Sequence, residues 1–134
     1  MYDLPKFKAA AVQTSPVFLN PQATTDKACA IIKEAAGKGA QLVAFPEVFI
    51  AGYPYWNWIM SPVQGSKWYE RLYKSSITVP GPEVPQLCQT ARETGTVVVM
   101  GINERGLSLG EIYNTILIID ETGTLIGKHR KLVP

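Results

Sequence analysis

Gln41-Leu42-Val43-Ala44-Phe45-Pro46-Glu47 is a continuous apolar run closed by a proline, with a carboxylate directly behind it. An apolar run of this length without polar alternation reads as a strand buried on both faces, and Pro46 stops it. Upstream, Lys8-Ala9-Ala10-Ala11-Val12-Gln13-Thr14 is a similar run ended by Ser15-Pro16, and it reads as another buried strand. Between them, Asn20-Pro21 supplies an N-cap followed by proline at the first helical position. Ala28, Ile31, Ile32 and Ala35 recur at helical spacing, and Gly37 and Gly39 close the helix. Strand, helix and strand with short connections form a βαβ unit, which predicts parallel strands joined by a right-handed crossover.

Downstream of Glu47 the chain is aromatic and irregular as far as Pro62. Gly65 to Ser75 then reads as a helix with Trp68, Tyr69, Leu72 and Tyr73 on one side. Pro80-Gly81-Pro82 breaks the chain, and Glu83 opens a further helix whose dipole favours an acid there. Val84, Leu87, Cys88 and Ala91 mark its apolar stripe. Thr96–Gly101, Ile112–Asp120 and Leu125–Lys131 read as three more strands. Glu121-Thr122-Gly123 is a turn between the last two, so that pair is expected to be antiparallel. The fold class is α/β with a mixed sheet.

The 134 residues allow one domain at most. At 46% hydrophobic and 18% charged, the composition is that of a globular chain rather than a disordered one. A net charge of +2 is too balanced for nucleic acid or an anionic membrane to be the main partner. No stretch approaches the roughly 20 apolar residues of a membrane span. Met1 to Lys6 lacks the order of a signal peptide, and Cys29 and Cys88 make no disulfide framework, so cytoplasm is the expected compartment. Few helices follow Gly95 to cover the second face of such a sheet, and the chain ends at Leu132-Val133-Pro134 directly after a strand. The fold is therefore expected to continue past residue 134, with 1–134 the N-terminal part of a single domain.

Two positions carry candidate chemistry. Glu47 follows the C-terminal end of a buried parallel strand, where α/β folds place ligands and catalysts. Its aromatic neighbours Phe49, Tyr53, Tyr55, Trp56 and Trp58 offer a low-dielectric wall that would raise its pKa toward that of a general base. The plainer alternative is a glutamate that caps a helix or pairs with a surface lysine. Lys131 ends the basic run Lys128-His129-Arg130-Lys131, which by default is a solvated strand end. Held near a glutamate, Lys131 would stabilise developing negative charge; taken alone, it reads as a solvent-exposed lysine.

In context, Phe45-Pro46-Glu47 with Gly52-Tyr53-Pro54 resembles the glutamate motif of the nitrilase superfamily of carbon–nitrogen hydrolases. Gly127-Lys128-His129-Arg130-Lys131-Leu132-Val133-Pro134 resembles that superfamily's lysine motif, and the resemblance extends over essentially the whole chain. The aromatic segment after Gly52-Tyr53-Pro54 is closer to the nitrilase and cyanide-hydrolysing branch than to the amidases or carbamoylases. The resemblance implies the N-terminal half of a four-layer αββα sandwich and a Glu-Lys-Cys site. It makes Glu47 the general base and Lys131 the group that stabilises charge as the substrate carbon becomes tetrahedral. It makes Tyr53 a support for Glu47 or a pocket wall, with Trp56 a further pocket residue. A small nitrile, or an amide in the alternative, is the implied partner. No metal or organic cofactor is called for, and a homo-oligomer is implied.

The nucleophile is the point of departure from that pattern. Cys29 lies mid-helix and Cys88 belongs to an apolar helix stripe, where a cysteine is usually an inert small hydrophobe. The expected cysteine, and a second glutamate of the family, would lie past Pro134. The chain alone is then expected to be inactive. A non-catalytic truncated module that associates with an intact homologue is the reading from another class.

Overall fold

The computed structural model describes residues 5–133; Met1 to Leu4 and Pro134, the extremes of the motifs read above, lie outside the described residues. In the described residues, β1 (Ala9–Ala11), α1 (Pro21–Gly37) and β2 (Leu42–Ala44) form the βαβ unit, with β1 and β2 parallel. A 3-10 turn (Tyr55–Trp58), α2 (Pro62–Ser75) and α3 (Glu83–Thr94) follow. The long strands β3 (Val97–Arg105), β4 (Ile112–Ile119) and β5 (Leu125–Arg130) complete a five-stranded sheet ordered β1-β2-β3-β4-β5. β2 pairs parallel with β3, whereas β3–β4 and β4–β5 are antiparallel, so the sheet is mixed as expected.

The local signals explain most element ends. Asn20 caps α1, its side chain accepting from the Ala23 N–H, with Pro21 at the first position. The β4–β5 turn is tied by Asp120, whose carboxylate accepts from the Thr122 and Thr124 N–H groups, with Gly123 at φ +78°. Three expectations change. β1 is a three-residue edge strand whose Ala9 and Ala11 are exposed, not a buried strand over residues 8–14, because an edge lacks a neighbour on one side. α2 begins at Pro62 rather than Gly65, since Ser61 and Gln64 form a reciprocal capping box ahead of it. On α2, Leu72 is buried, but Trp68 and Tyr73 are only half-buried and Tyr69 is 44% exposed. β3 runs four residues past Gly101, because the polar residues Asn103 and Glu104 are buried there with partners rather than released into a loop.

Side-chain alternation divides the sheet into two unlike faces. Val43, Val98, Met100, Leu117 and Ile119 face α1 and α3, meeting Ala28, Ile32, Leu87 and Ala91 in the main core. Each Ile or Leu withdrawn there contributes roughly 1.5–3 kcal/mol of burial. The opposite face carries half-buried Leu42, Val97 and Val99, with Ile116 40% and Ile126 61% exposed. Among the described residues no helix packs over these positions; α2 reaches only the far end of this face, where Leu72 meets Ile112. A second small core of Ala51, Trp56 and Leu72 seats α2 and the 3-10 turn. No described helix is long and apolar enough to cross a membrane.

Candidate active site

The site begins with an interruption of pairing after β2. Phe45 still donates to the Val99 carbonyl at 2.9 Å, and Ile50 donates to the Gly101 carbonyl at 3.1 Å. While β3 advances by only two residues, the other chain travels from 45 to 50. Residues 46–49 therefore leave the ladder as a loop, and Glu47 rides on it. Val48 takes φ +44°, and its carbonyl accepts from Gly52 N at 3.0 Å. Gly101 lies directly beneath: a methyl there would overlap the Pro46 carbonyl oxygen and stand 2.8 Å from Val48 N. Gly52 is required at φ +107°, where a Cβ would meet the Phe18 ring at 2.6 Å. Asn103, 3% exposed, donates its side-chain amide to the Gly52 carbonyl at 2.9 Å and anchors the far end of the loop.

Lys131 arrives from the other direction. Its N–H donates to the Asn114 carbonyl at 2.8 Å, extending the β4–β5 pairing by one residue. Its Nζ donates to Glu47 Oε1 at 2.7 Å, across 84 residues of sequence. Asn114 Nδ2 donates to the same oxygen at 2.6 Å. The two charged side chains are 48% and 46% exposed. Hydrogen bonds from Lys131 and then Asn114 hold the Glu47 carboxyl below its usual range, while Glu47 raises the Lys131 pKa. This corrects the expected upward shift of Glu47. Phe49 turns into the main core and Trp56 into the second one, so the aromatic wall leaves the carboxylate half in water.

Glu47, Asn114 and Lys131 border two adjoining hollows. One, about 410 Å³, is walled by Tyr53, Asn57, Trp58 and Tyr69. The other, about 360 Å³, lies on the open face of the sheet against Val99, Gly101, Ile116 and His129. Tyr53 is thus brought beside Glu47 and Lys131. Trp56 is not: 6% exposed, it stacks on Trp68 with ring centroids 6.0 Å apart and underpins α2 instead. Trp58, 77% exposed, takes the wall position. Cys29 and Cys88 line neither hollow; they belong to the helix side, where burial raises both thiol pKa values. Among the described residues no three His, Cys, Asp or Glu side chains group as a metal site.

A family model described as carbon-nitrogen hydrolase matches residues 8–134. The chain belongs to the carbon-nitrogen hydrolase family. Among its relatives in this family, a nitrilase of Paraburkholderia phymatum is 43% identical over 134 residues, covering 100% of this chain and 39% of that protein. An aliphatic nitrilase of Rhodococcus rhodochrous is 47% identical over 129 residues, covering 96% of this chain and 35% of that protein. The chain thus spans well under half the length of these curated relatives. Among solved structures, Saccharomyces cerevisiae Nit3, a member of branch 10 of the nitrilase superfamily, superposes with TM-score 0.73 at 29% identity, covering 93% of this chain and 44% of that one. The fold is accordingly a partial nitrilase-like α/β arrangement.

Asn114 and Asn103 carry no signal in the sequence that marks them for the site. An asparagine inside a strand carries no periodic signal, and only pairing brings it to a site. The basic run also proved to be more than a solvated strand end, since Lys128 and Arg130 both bind the buried Glu104 and Lys131 binds Glu47.

Proposed function

We propose that this chain supplies the glutamate and lysine of a nitrile-hydrolysing site whose nucleophilic cysteine comes from sequence beyond residue 134. The observation that supports it is the 2.7 Å contact of Lys131 with Glu47 at the wall of a hollow beside Tyr53. The names of the Paraburkholderia and Rhodococcus relatives favour a nitrile over an amide. In this proposal residues 1–134 are the N-terminal part of one domain, and a second sheet from the remaining sequence covers the open face in a four-layer arrangement.

Glu47 is ionised at neutral pH and takes the thiol proton as sulfur bonds to the nitrile carbon. One π pair of the C≡N bond moves onto nitrogen, which receives that proton, and a thioimidate results. The Lys131 ammonium faces the negative charge as it grows on nitrogen. Glu47 next takes a proton from water as the water adds to the thioimidate carbon and passes it to nitrogen, giving a tetrahedral intermediate with a hydroxyl and an amino group. The hydroxyl proton then moves through Glu47 to that nitrogen as the carbonyl forms and the C–N bond breaks, so that ammonia leaves and a thioester remains. A second water, deprotonated in the same way, splits the remaining thioester and returns the thiol. Nitrile and two waters become a carboxylic acid and ammonia.

The test uses the polypeptide extended through its next candidate nucleophilic cysteine, supplied with phenylacetonitrile and the matching amide. Ammonia and acid in equal amounts from the nitrile, with a covalent adduct on that cysteine by mass spectrometry, is the expected result. Turnover of the amide alone would replace the nitrilase proposal with an amidase.

A further inference from the structure

Among the described residues Glu104 is the most deeply buried charged side chain, and it lines neither hollow. It is 2% exposed, on β3, and its side chain reaches past β4 to β5. Oε1 accepts from Lys128 Nζ at 2.7 Å and from Arg130 Nη2 at 2.8 Å. Oε2 accepts from Arg130 Nε at 2.9 Å and from the Thr115 hydroxyl at 2.8 Å. The Arg130 guanidinium, held in this fork, also lies over the Tyr113 ring at 3.8 Å. Every donor on β5 that Glu104 holds sits at alternate positions, 128 and 130, so both point to the helix side. Lys131 and His129 point to the other face, toward Glu47.

β5 is an edge strand, paired only with β4, and its pairing with β4 already shifts register near Ile118 and Ile119. A slip by one residue would turn every side chain to the opposite face. The bidentate Arg130 fork, backed by Lys128, admits one register and one face.

We propose that Glu104 is a positioning residue for the site: by clamping Lys128 and Arg130 to the helix side, it sets the face and reach of Lys131 toward Glu47. The effect on turnover rests on the roles proposed for Glu47 and Lys131, but the positioning itself does not. Glu104 touches no substrate; it acts through the strand that carries Lys131.

Two readouts separate these layers. In the 134-residue chain, the Glu47 carboxyl is titrated by NMR in wild type and Glu104→Gln. The expected result is that the Glu47 pKa rises toward the ordinary glutamate value in the variant, as the ammonium is no longer held against it. An unchanged Glu47 titration in folded Glu104→Gln would overturn the proposal, whatever the enzyme does. In the extended enzyme, kcat is expected to fall at least tenfold with KM changed less than twofold. The control Ile119→Val, on the same sheet face but outside the clamp, should leave kcat within twofold. If Glu104→Gln does not fold, Arg130→Gln removes the fork from its partly exposed side and should shift the Glu47 titration in the same direction, with Arg130→Lys recovering part of it. No shift in Arg130→Gln would equally overturn the proposal. Absence of nitrile turnover in wild type, with the titration shift intact, would reject the nitrilase mechanism and leave the clamp standing.

Discussion

Asn114 donates to the very oxygen of Glu47, Oε1, that Lys131 occupies, and among the described residues no protein donor reaches Oε2. One oxygen is therefore held and the other keeps its lone pairs, open to a proton in the base role proposed for Glu47. Because Asn114 also receives the Lys131 N–H on its own carbonyl, a single residue of β4 ties together both partners of the ion pair.

Replacing Asn114 with Ala should raise the Glu47 pKa toward its ordinary value, since one of the two hydrogen bonds that lower it is removed. In the extended enzyme kcat should fall about tenfold, the scale of one misplaced hydrogen bond of about 1.4 kcal/mol. Carboxyl titration by NMR and steady-state kinetics check the two halves separately.

Glu47→Gln should abolish nitrile turnover in the extended enzyme, by about 10²–10⁴-fold, the range that a lost general base accounts for. Its Tm should stay within about 2 °C, because an ion pair half exposed to water adds little to stability. A large drop in Tm would mean that the carboxylate holds the fold rather than the chemistry.

Gly101→Ala should disturb the Glu47 loop from below. The added methyl overlaps the Pro46 carbonyl, and β3 cannot retreat from a buried sheet. Overpacking of this kind costs about 1–3 kcal/mol. Chemical denaturation should show that loss, and the kinetic defect should be larger than for an alanine of equal cost on the helix side of the sheet.

Acid stability should carry the mark of Glu104. Burial alone would raise its pKa, but hydrogen bonds from Arg130, Lys128 and Thr115 overcome that and bring it to about 2. A depressed folded value means that the contribution is complete above the unfolded carboxyl pKa of about 4.3 and is lost as pH falls toward 2. Glu104→Gln should lower stability at pH 7 by about 1–3 kcal/mol and flatten the decline between pH 4.3 and 2. Urea midpoints across that range are the check.

Much of the fold is legible in the sequence itself. Asn20-Pro21 and Glu121-Thr122-Gly123 mark their cap and turn locally, so α1 and the last hairpin are readable from neighbouring residues, whereas the part Asp120 plays in the turn shows only in the structure. Strand-end position alone leaves Glu47 an even choice and Lys131 a plain surface lysine; the resemblance of their local motifs to a known family is what singles them out, and the structure brings the two side chains to 2.7 Å. Glu104 escapes because the polar Asn103-Glu104 pair looks like the end of the strand before it, and Asn114 because an asparagine inside a strand carries no signal of its own. Their partners lie on other strands, so only tertiary pairing reveals why they are tolerated. Trp56 was misplaced for a related reason: nothing local tells which aromatic of a loop turns inward, and Gly65 on α2 is what opens space for that ring.

In the proposed function, Glu47 and Lys131 are two parts of a site whose sulfur lies outside these 134 residues. Ammonia release from a nitrile should be measured for the chain alone, for the extended polypeptide and for each with Glu47→Gln. Turnover is expected only in the extended form with Glu47 intact. Turnover by the 134-residue chain that survives Glu47→Gln would contradict it.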